Sequence, residues 1–435
     1  MKFISLIFCK HPYVVSALLS FSFIFLRASG RFLNPHLWAE DGSLFLPDAI
    51  QLGWKSFYVS YAGYYHTLPR IIAYLTHFLN ASFYPIFILI ITVIIYISVL
   101  LTLLSDDFSY LIKESYQRLL ICLALCMAPG LHEVLGNLAN LHWILFFYIT
   151  LTSLKDPDSK LAVWEIITLL LAIFSTGETI VLIPFLFVQL VFQFREGKKI
   201  SNRTAFLFIT ISISVILNFM QRKNLPQGPE IQLLSIFSGW YSSVINTMIL
   251  QPLIGDKYVI KLFKKYWYLY QYGSALLTIY LLFRITKQKK MKLNFFVFLL
   301  VLLSFLPLFT FLVRPYAMGV FANVHIVWNF RYAFILAPWG LLLYATLIQT
   351  LQDEKIKKYM FLILFLSTVW FNRYRFFIPE YGSENWKESA YLIDQALLTG
   401  CPNHIKIPIY PDGTDGLNVR FYFQLDLPNP IIPCK

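Results

Sequence analysis

Apolar runs that reach or approach the length of a membrane span recur along the chain, separated by short polar stretches that carry proline, glycine or charge. Taken as helices, the runs centre on residues 12–29, 83–104, 117–129, 141–154, 161–175, 179–194, 204–220, 266–283, 293–312, 332–350 and 359–371. A hydrocarbon layer of ~30 Å needs about 20 apolar residues per helix, so the pattern predicts about 11 transmembrane helices. Several runs fall short of that length, and those either tilt little or are continued by loops that dip into the bilayer. None shows the alternating strands of about 10 residues that build a membrane barrel. The pattern changes after residue 371. There "WKESAYLIDQALL" reads as a helix, and "KIPIYPDG" and "VRFYFQL" read as strands. The expected fold is an all-α polytopic membrane domain over residues 1–371, with a long first external loop at 30–82, followed by a small external C-terminal α/β module over 372–435.

Composition sharpens this picture. Of the 435 residues, 58% are hydrophobic and 14% charged, against roughly 25% charged in an ordinary soluble domain. Mean hydropathy is +0.62. The net charge of +13 does not point to nucleic acid, because the basic residues sit in short clusters between apolar runs. Half of the 36 lysines and arginines fall in 1–11, 105–118, "KDPDSK", "REGKKISNR", "RITKQKKMK" and "QDEKIKKY", which form one alternating set of loops. The positive-inside rule makes that set cytoplasmic, with the N-terminus inside and the C-terminus outside. Residues 30–82, 130–140, the turn "STGET", 221–265, 313–331 and 372–435 then share the external face. The first 30 residues, with Lys2 and Lys10 before the apolar run and Ala28-Ser29-Gly30 after it, have the outline of a cleavable signal peptide. With so many spans to follow, they read as an uncleaved first helix. Cys401 and Cys434 both lie in the external tail, where a disulfide between them would close a loop that has little apolar core.

Three external constellations are candidates for chemistry. The first is the adjacent pair Glu40 and Asp41 in "HLWAEDGSLFLPDA", directly after the first helix. A turn at Gly42, with the acids only solvating a loop, is the plain alternative. Trp38 and Phe45 argue against it, since acids set among aromatics at a membrane surface are costly unless used. His66 and Arg70 follow in "YAGYYHTLPR". The second is "LHEVLGNLANLHW", where Glu133, Asn137 and Asn140 at i, i+4 and i+7 fall on one face of a helix, with His132 alongside. Helix–helix hydrogen bonding by the asparagines is its structural alternative. Glu178 in "STGET" reads as an acid favouring the positive end of a helix dipole. The third is the stretch from Arg314 to Arg331, with Tyr316 and His325 between them, whose guanidinium forks suit phosphate oxygens as well as they suit headgroup snorkelling. Walker A, HExxH, paired CxxC, GxSxG and GxGxxG patterns are absent, so nucleotide hydrolysis, zinc proteolysis and serine hydrolysis lack motif support.

In "WAEDGSLFLPDA", "GYYHTLPR" and "LHEVLGNLANLHW", and in its many spans, the chain resembles the GT-C superfamily of integral membrane glycosyltransferases. That group includes the protein O-mannosyltransferases and the lipid A aminoarabinose transferases. Its C-terminal tail is much smaller than the soluble domain many members carry. The resemblance implies an inverting transferase that takes a sugar from a polyprenyl-phosphate carrier and gives it to a glycan, lipid or protein acceptor on the periplasmic face of a bacterial inner membrane, in cell-surface glycan or O-antigen modification. By position in the motif, Asp41 is the expected base, with Glu40 as neighbour or substitute. Glu133 is expected to orient acceptor or sugar, and Arg314 or Arg331, or else His325 or Arg70, to stabilise the departing phosphate. Tyr316, His66, His132, Asn137 and Asn140 complete the expected binding set. No cofactor is required on this reading, although the acids could hold a divalent metal. A transporter or flippase of lipid-linked sugars is the rival from another class, but it would more often show two related halves and charges deep in its spans. An O-antigen polymerase or ligase shares the substrates and usually carries its key residues late in the chain.

Overall fold

The helix Leu141–Leu154 has no polar face, and every one of its 14 residues is buried. A helix apolar all round belongs inside a bundle. Its hydroxyls are satisfied locally: Thr150 donates to the carbonyl of Phe146 at 2.6 Å and Thr152 to that of Tyr148 at 3.0 Å. In the computed structural model this helix is the axis of the core. The model describes residues 11–221 apart from 129, 157 and 158, then 244–255, short stretches between 258 and 302, 330–373, 386–402, 404–412 and 420–426.

The longer described helices are α1 (Pro12–Arg27), α2 (Thr67–Thr76), α3 (Tyr84–Thr102), α4 (Ser115–Leu125), α5 (Leu141–Leu154), α6 (Val163–Ile173), α7 (Leu182–Arg195), α8 (Asn202–Met220), α9 (Phe330–Ile348), α10 (Glu354–Asn372) and α11 (Trp386–Thr399). Helix α5 packs against α3 and α6, α1 packs on α3, α7 on α8, and α4 on α10. Proline at the first turn opens α1 and α3, where its missing N–H costs no hydrogen bond. Ser201 and Asp353 cap α8 and α10 through their side-chain oxygens.

Among the described residues three helical segments are long and apolar enough to cross a membrane: Ala81–Thr102, Gly177–Arg195 and Asn202–Met220. Pro12–Arg27, Ser115–Leu125, Leu141–Leu154, Val163–Ile173 and Leu336–Ile348 are apolar but shorter. The expected spans therefore coincide with helices wherever the structure describes them, but not all have the length of a span. Helix α5 shows why a short one is tolerated. Its 14 residues reach only about 21 Å, yet protein surrounds it, so it has no lipid thickness to match. The span expected at 266–283 is described only at 276, 279 and 283, which are helical, and that at 293–312 only at 295–299 and 301–302.

Polar contacts sort the loops into two ends. At one end Arg118 binds Asp106 at 2.8 Å and the carbonyl of Leu104 at 3.2 Å. Lys155 and Arg203 share the buried Glu165, at 2.8 and 3.3 Å. Lys155 also lies 3.8 Å from Asp107, and Gln349 donates to Gln117. These contacts, with Arg203 donating to the Asp156 carbonyl at 3.0 Å, gather the basic loops at 105–118, 155–160 and 195–203 beside the end of α9. At the other end the Thr67 hydroxyl donates to the Phe174 carbonyl at 3.1 Å, and the Leu68 N–H donates to Ser175 Oγ at 2.7 Å.

The tail joins this second end. Strand β1 (His404–Asp412) pairs antiparallel with β2 (Arg420–Asp426), with Ile405 opposite Leu425 and Ile407 opposite Phe423. Those four side chains are buried while Lys406 and Gln424 between them are exposed, the period-two pattern of a one-sided sheet. Helix α11 buries Ala390, Ile393 and Ala396. It is fastened to the first loop through one residue: Trp386 Nε1 donates to the Ala81 carbonyl at 3.0 Å, and the Ala81 N–H donates to Asp394 at 2.9 Å. Cys401 is disulfide-bonded; Cys434, its expected partner, lies outside the described residues.

Two substitutions test this packing. Glu165→Ala leaves Lys155 and Arg203 buried without their carboxylate and is expected to destabilise the protein by about 3 kcal/mol, read as a lowered melting temperature in detergent. Gly340 of α9 lies against the backbone carbonyl of Met248, where a Cβ has no room. Gly340→Ala should therefore cost about 1–3 kcal/mol in the same assay.

Candidate functional site

The first loop folds as a chain of short helical turns. Ser29–Leu33 continues from α1, a wide turn spans Asp41–Phe45, and Leu46–Leu52 and Gly53–Tyr58 lead to α2. Phe45 is the centre of this loop. Its ring meets those of Tyr61 at 6.0 Å and His66 at 5.4 Å, and the Arg70 guanidinium lies 5.2 Å from its centroid.

The two acids of the motif have different surroundings. Asp41 is 0% exposed. Its Oδ1 accepts the N–H of Leu138 at 2.9 Å and that of Ala139 at 3.2 Å, and its Oδ2 lies 3.0 Å from the same Leu138 nitrogen. Burial pushes its carboxyl well above the usual carboxylate range, against the pull of those two N–H groups, with the neighbouring Glu40 raising it further and Arg31 opposing. Glu40 is only partly buried, and Tyr61 donates to its Oε1 at 3.1 Å. Asp41 is thus the clamp that holds the second loop, and Glu40 is the carboxylate that water or a substrate can reach.

The second loop is pinned peptide by peptide. Arg31 donates to the Leu135 carbonyl and lies 4.6 Å from the Trp38 ring centroid. The Gly136 N–H donates to Thr92 Oγ1 at 2.8 Å, Asn137 Oδ1 accepts from the Asn140 N–H at 3.0 Å, and Asn140 Nδ2 donates to the Glu133 carbonyl at 3.1 Å. The expected single helical face for Glu133, Asn137 and Asn140 is not formed. Helix Leu131–Val134 stops after one turn, Leu135 is extended, and Gly136 takes φ +65°, a left-handed value that favours glycine. The three residues meet instead through a folded turn. Asn137 is fully buried, and its Nδ2 has no hydrogen-bond partner among the described residues.

His66 is buried against the Tyr64 ring, 4.2 Å between centroids, and its ring lies 6.0 Å from that of His142. His142 Nδ1 is 2.5 Å from the Ala139 carbonyl, and its Nε2 is 3.7 Å from Glu178 Oε1. Ala139 is therefore held on both sides, by Asp41 at its N–H and by His142 at its C=O. Glu178 does begin a helical stretch, but its carboxylate is buried and faces His142 rather than solvent, a pairing that local sequence does not signal. Arg70 is buried and gives Nη1 to Asp48 at 2.8 Å, while its Nε and Nη2 have no hydrogen-bond partner among the described residues. His132 lies in the Leu131–Val134 turn, and its side chain is outside the description. Arg331 lies in α9 on the same terms. Arg314, Tyr316 and His325 lie outside the described residues. Among the described residues no group of three or more His, Cys, Asp or Glu side chains is placed to hold a metal.

The tail reaches this site. A Cβ at Gly42 would come within 2.6 Å of Ile409 Cδ1, so β1 rests directly on the residue after Asp41. Gln51 Nε2 meets the Asp426 carbonyl at 3.4 Å. No family model, curated protein or solved structure matches the chain.

The division between the acids predicts different stability phenotypes. Asp41→Ala strands the N–H groups of Leu138 and Ala139 inside the protein and should cost about 2–4 kcal/mol. Glu40→Gln should stay within about 0.5 kcal/mol of the parent, as a partly exposed change does. Thermal unfolding of the two purified variants in one detergent checks the difference.

Proposed function

We propose that this chain is an inverting glycosyltransferase of GT-C type that moves a sugar from a polyprenyl-phosphate carrier to an acceptor hydroxyl at the external face of the membrane. The observation that carries the reading is the split within the acid pair: one carboxylate locks the second loop in place, and its neighbour stays reachable. Glu40 is then the general base in place of Asp41, the member expected from the motif, because Asp41 is fully buried on the Leu138 and Ala139 N–H groups and organises the site around its neighbour. Glu40 takes the acceptor proton as the acceptor oxygen bonds to the anomeric carbon, and the bond from that carbon to the phosphate oxygen breaks on the opposite side. The carrier leaves as its phosphate with the bonding electrons, and the proton ends on Glu40.

The leaving phosphate gains charge, which hydrogen-bond donors fixed in a low-dielectric site stabilise best. Of the cations expected for that role, Arg70 is the one whose side chain is described, and its Nε and Nη2 form a fork shaped for two phosphate oxygens. Asn137 Nδ2 is a second donor without a partner, suited to a sugar hydroxyl. The hairpin rests against Gly42, which supports a role for the tail in acceptor choice.

Loss of a general base typically costs 10²–10⁴-fold in rate. Glu40→Gln should therefore abolish transfer at a normal protein level in the membrane, with one sugar missing from the surface glycan profile, as in a deletion strain. A normal profile for Glu40→Gln beside a defective deletion strain would overturn the transferase reading in favour of transport or a scaffold.

A further inference from the structure

The first loop carries an exposed apolar surface that is left uncovered among the described residues. Trp54 and Tyr58 project from the turn Gly53–Tyr58, with rings 6.1 Å apart. Phe57 of the same turn meets Tyr74 of α2 at 5.3 Å, and Tyr74 meets Phe78 at 5.2 Å, which makes the aromatics contiguous. Tyr58 is 69% exposed and Phe78 66%, and Leu52, Leu75 and Leu79 are exposed beside them. Helix α2 has the matching asymmetry, since it buries Pro69, Arg70, Ile72, Ala73 and Thr76 and turns Leu75 outward.

What covers this surface follows from its continuity with α3. The outward stripe of that helix runs Ile94, Ile90, Phe87 and then Phe83, at the three- and four-residue spacing of one helical face. Ala81–Thr102 is the most apolar of the segments long enough to cross a membrane, so the stripe faces lipid. Phe83 ends the stripe and leads straight to Leu79 and Phe78, with no polar belt between them except Asn80 and Ser82. No acidic residue occurs between Ala49 and Ser105, and Lys55 is the one exposed charge between Leu52 and Phe83. Tryptophan and tyrosine with a single exposed cation match the boundary between headgroups and acyl chains, where aromatic rings anchor and a lysine meets lipid phosphate.

We propose that residues 52–83 form an amphipathic collar lying in the headgroup–acyl boundary of the bilayer, with Trp54, Tyr58, Leu75 and Phe78 immersed and Lys55 at the phosphates. The collar rests on the membrane reading alone and holds whether or not the chain transfers sugars. It sets the depth of Phe45 and the acid pair at the level of the lipid headgroups.

The test places one genetically encoded fluorescent amino acid in the full chain, at Tyr58 in one variant and Phe78 in another, with Ile94 as a reference in the span. The proteins are reconstituted in phosphatidylcholine–phosphatidylglycerol vesicles. Lipids with a nitroxide at the headgroup or deep in the acyl chain are compared with aqueous iodide as quenchers. Positions 58 and 78 should lose emission to the shallow nitroxide and little to iodide, whereas position 94 loses it to the deep one. Iodide quenching at 58 and 78 as strong as that of the free fluorophore would overturn the collar. So would stronger quenching there by the deep nitroxide than by the shallow one. The position 94 variant, reconstituted in the same way, shows that the procedure inserts the protein.

Discussion

One buried carboxylate holds the candidate site together. Asp41 reaches across 97 and 98 residues of sequence to take the N–H groups of Leu138 and Ala139, which have no other acceptor among the described residues. A loop that has left its helix after one turn must satisfy its backbone by other means. Asp41 does this for residues 138 and 139, as Arg31, Thr92, Asn137, Asn140 and His142 do for their neighbours. The second loop is consequently ordered by Asp41 and Arg31 of the first, by Thr92 of α3 and by its own side chains, and the arrangement leaves Glu40 as the accessible acid of the pair.

The same principle operates at the opposite end with a different chemistry. There Glu165, Lys155, Arg203 and Arg118 tie the basic loops together through buried charges and backbone carbonyls. Each charge has an opposite partner or several carbonyls, as burial demands. Between the two ends the core is almost wholly apolar, with α5 enclosed on every side. Among the described residues, charge is therefore confined to the ends.

The tail extends the site rather than standing apart. Its hairpin would be marginal alone, since two strands bury little apolar surface. It is stabilised by α11 and by the first loop, through Ile409 over Gly42 and Ala81 held between Trp386 and Asp394. A module fastened this way moves with the loop that carries the acid pair.

Periodicity by itself located the longer described helices except α2, which lies in the stretch read as the first loop. The run at 141–154 matches α5 residue for residue, the other described runs fall within a few residues of their helices, and the tail's helix and two strands lie where the pattern put them. Hydrophobic spacing is a local property, and these elements depend on little else. It failed at Glu133, Asn137 and Asn140, because a spacing rule assumes an unbroken helix and Gly136 breaks it. It also had no means of choosing between Glu40 and Asp41, or of joining Glu178 to His142 and Arg70 to Asp48. The identities and positions of those residues were on display in the chain. Which of them became clamps, and which stayed accessible, was decided only by tertiary structure, because burial and hydrogen-bond partners come from segments far apart in sequence.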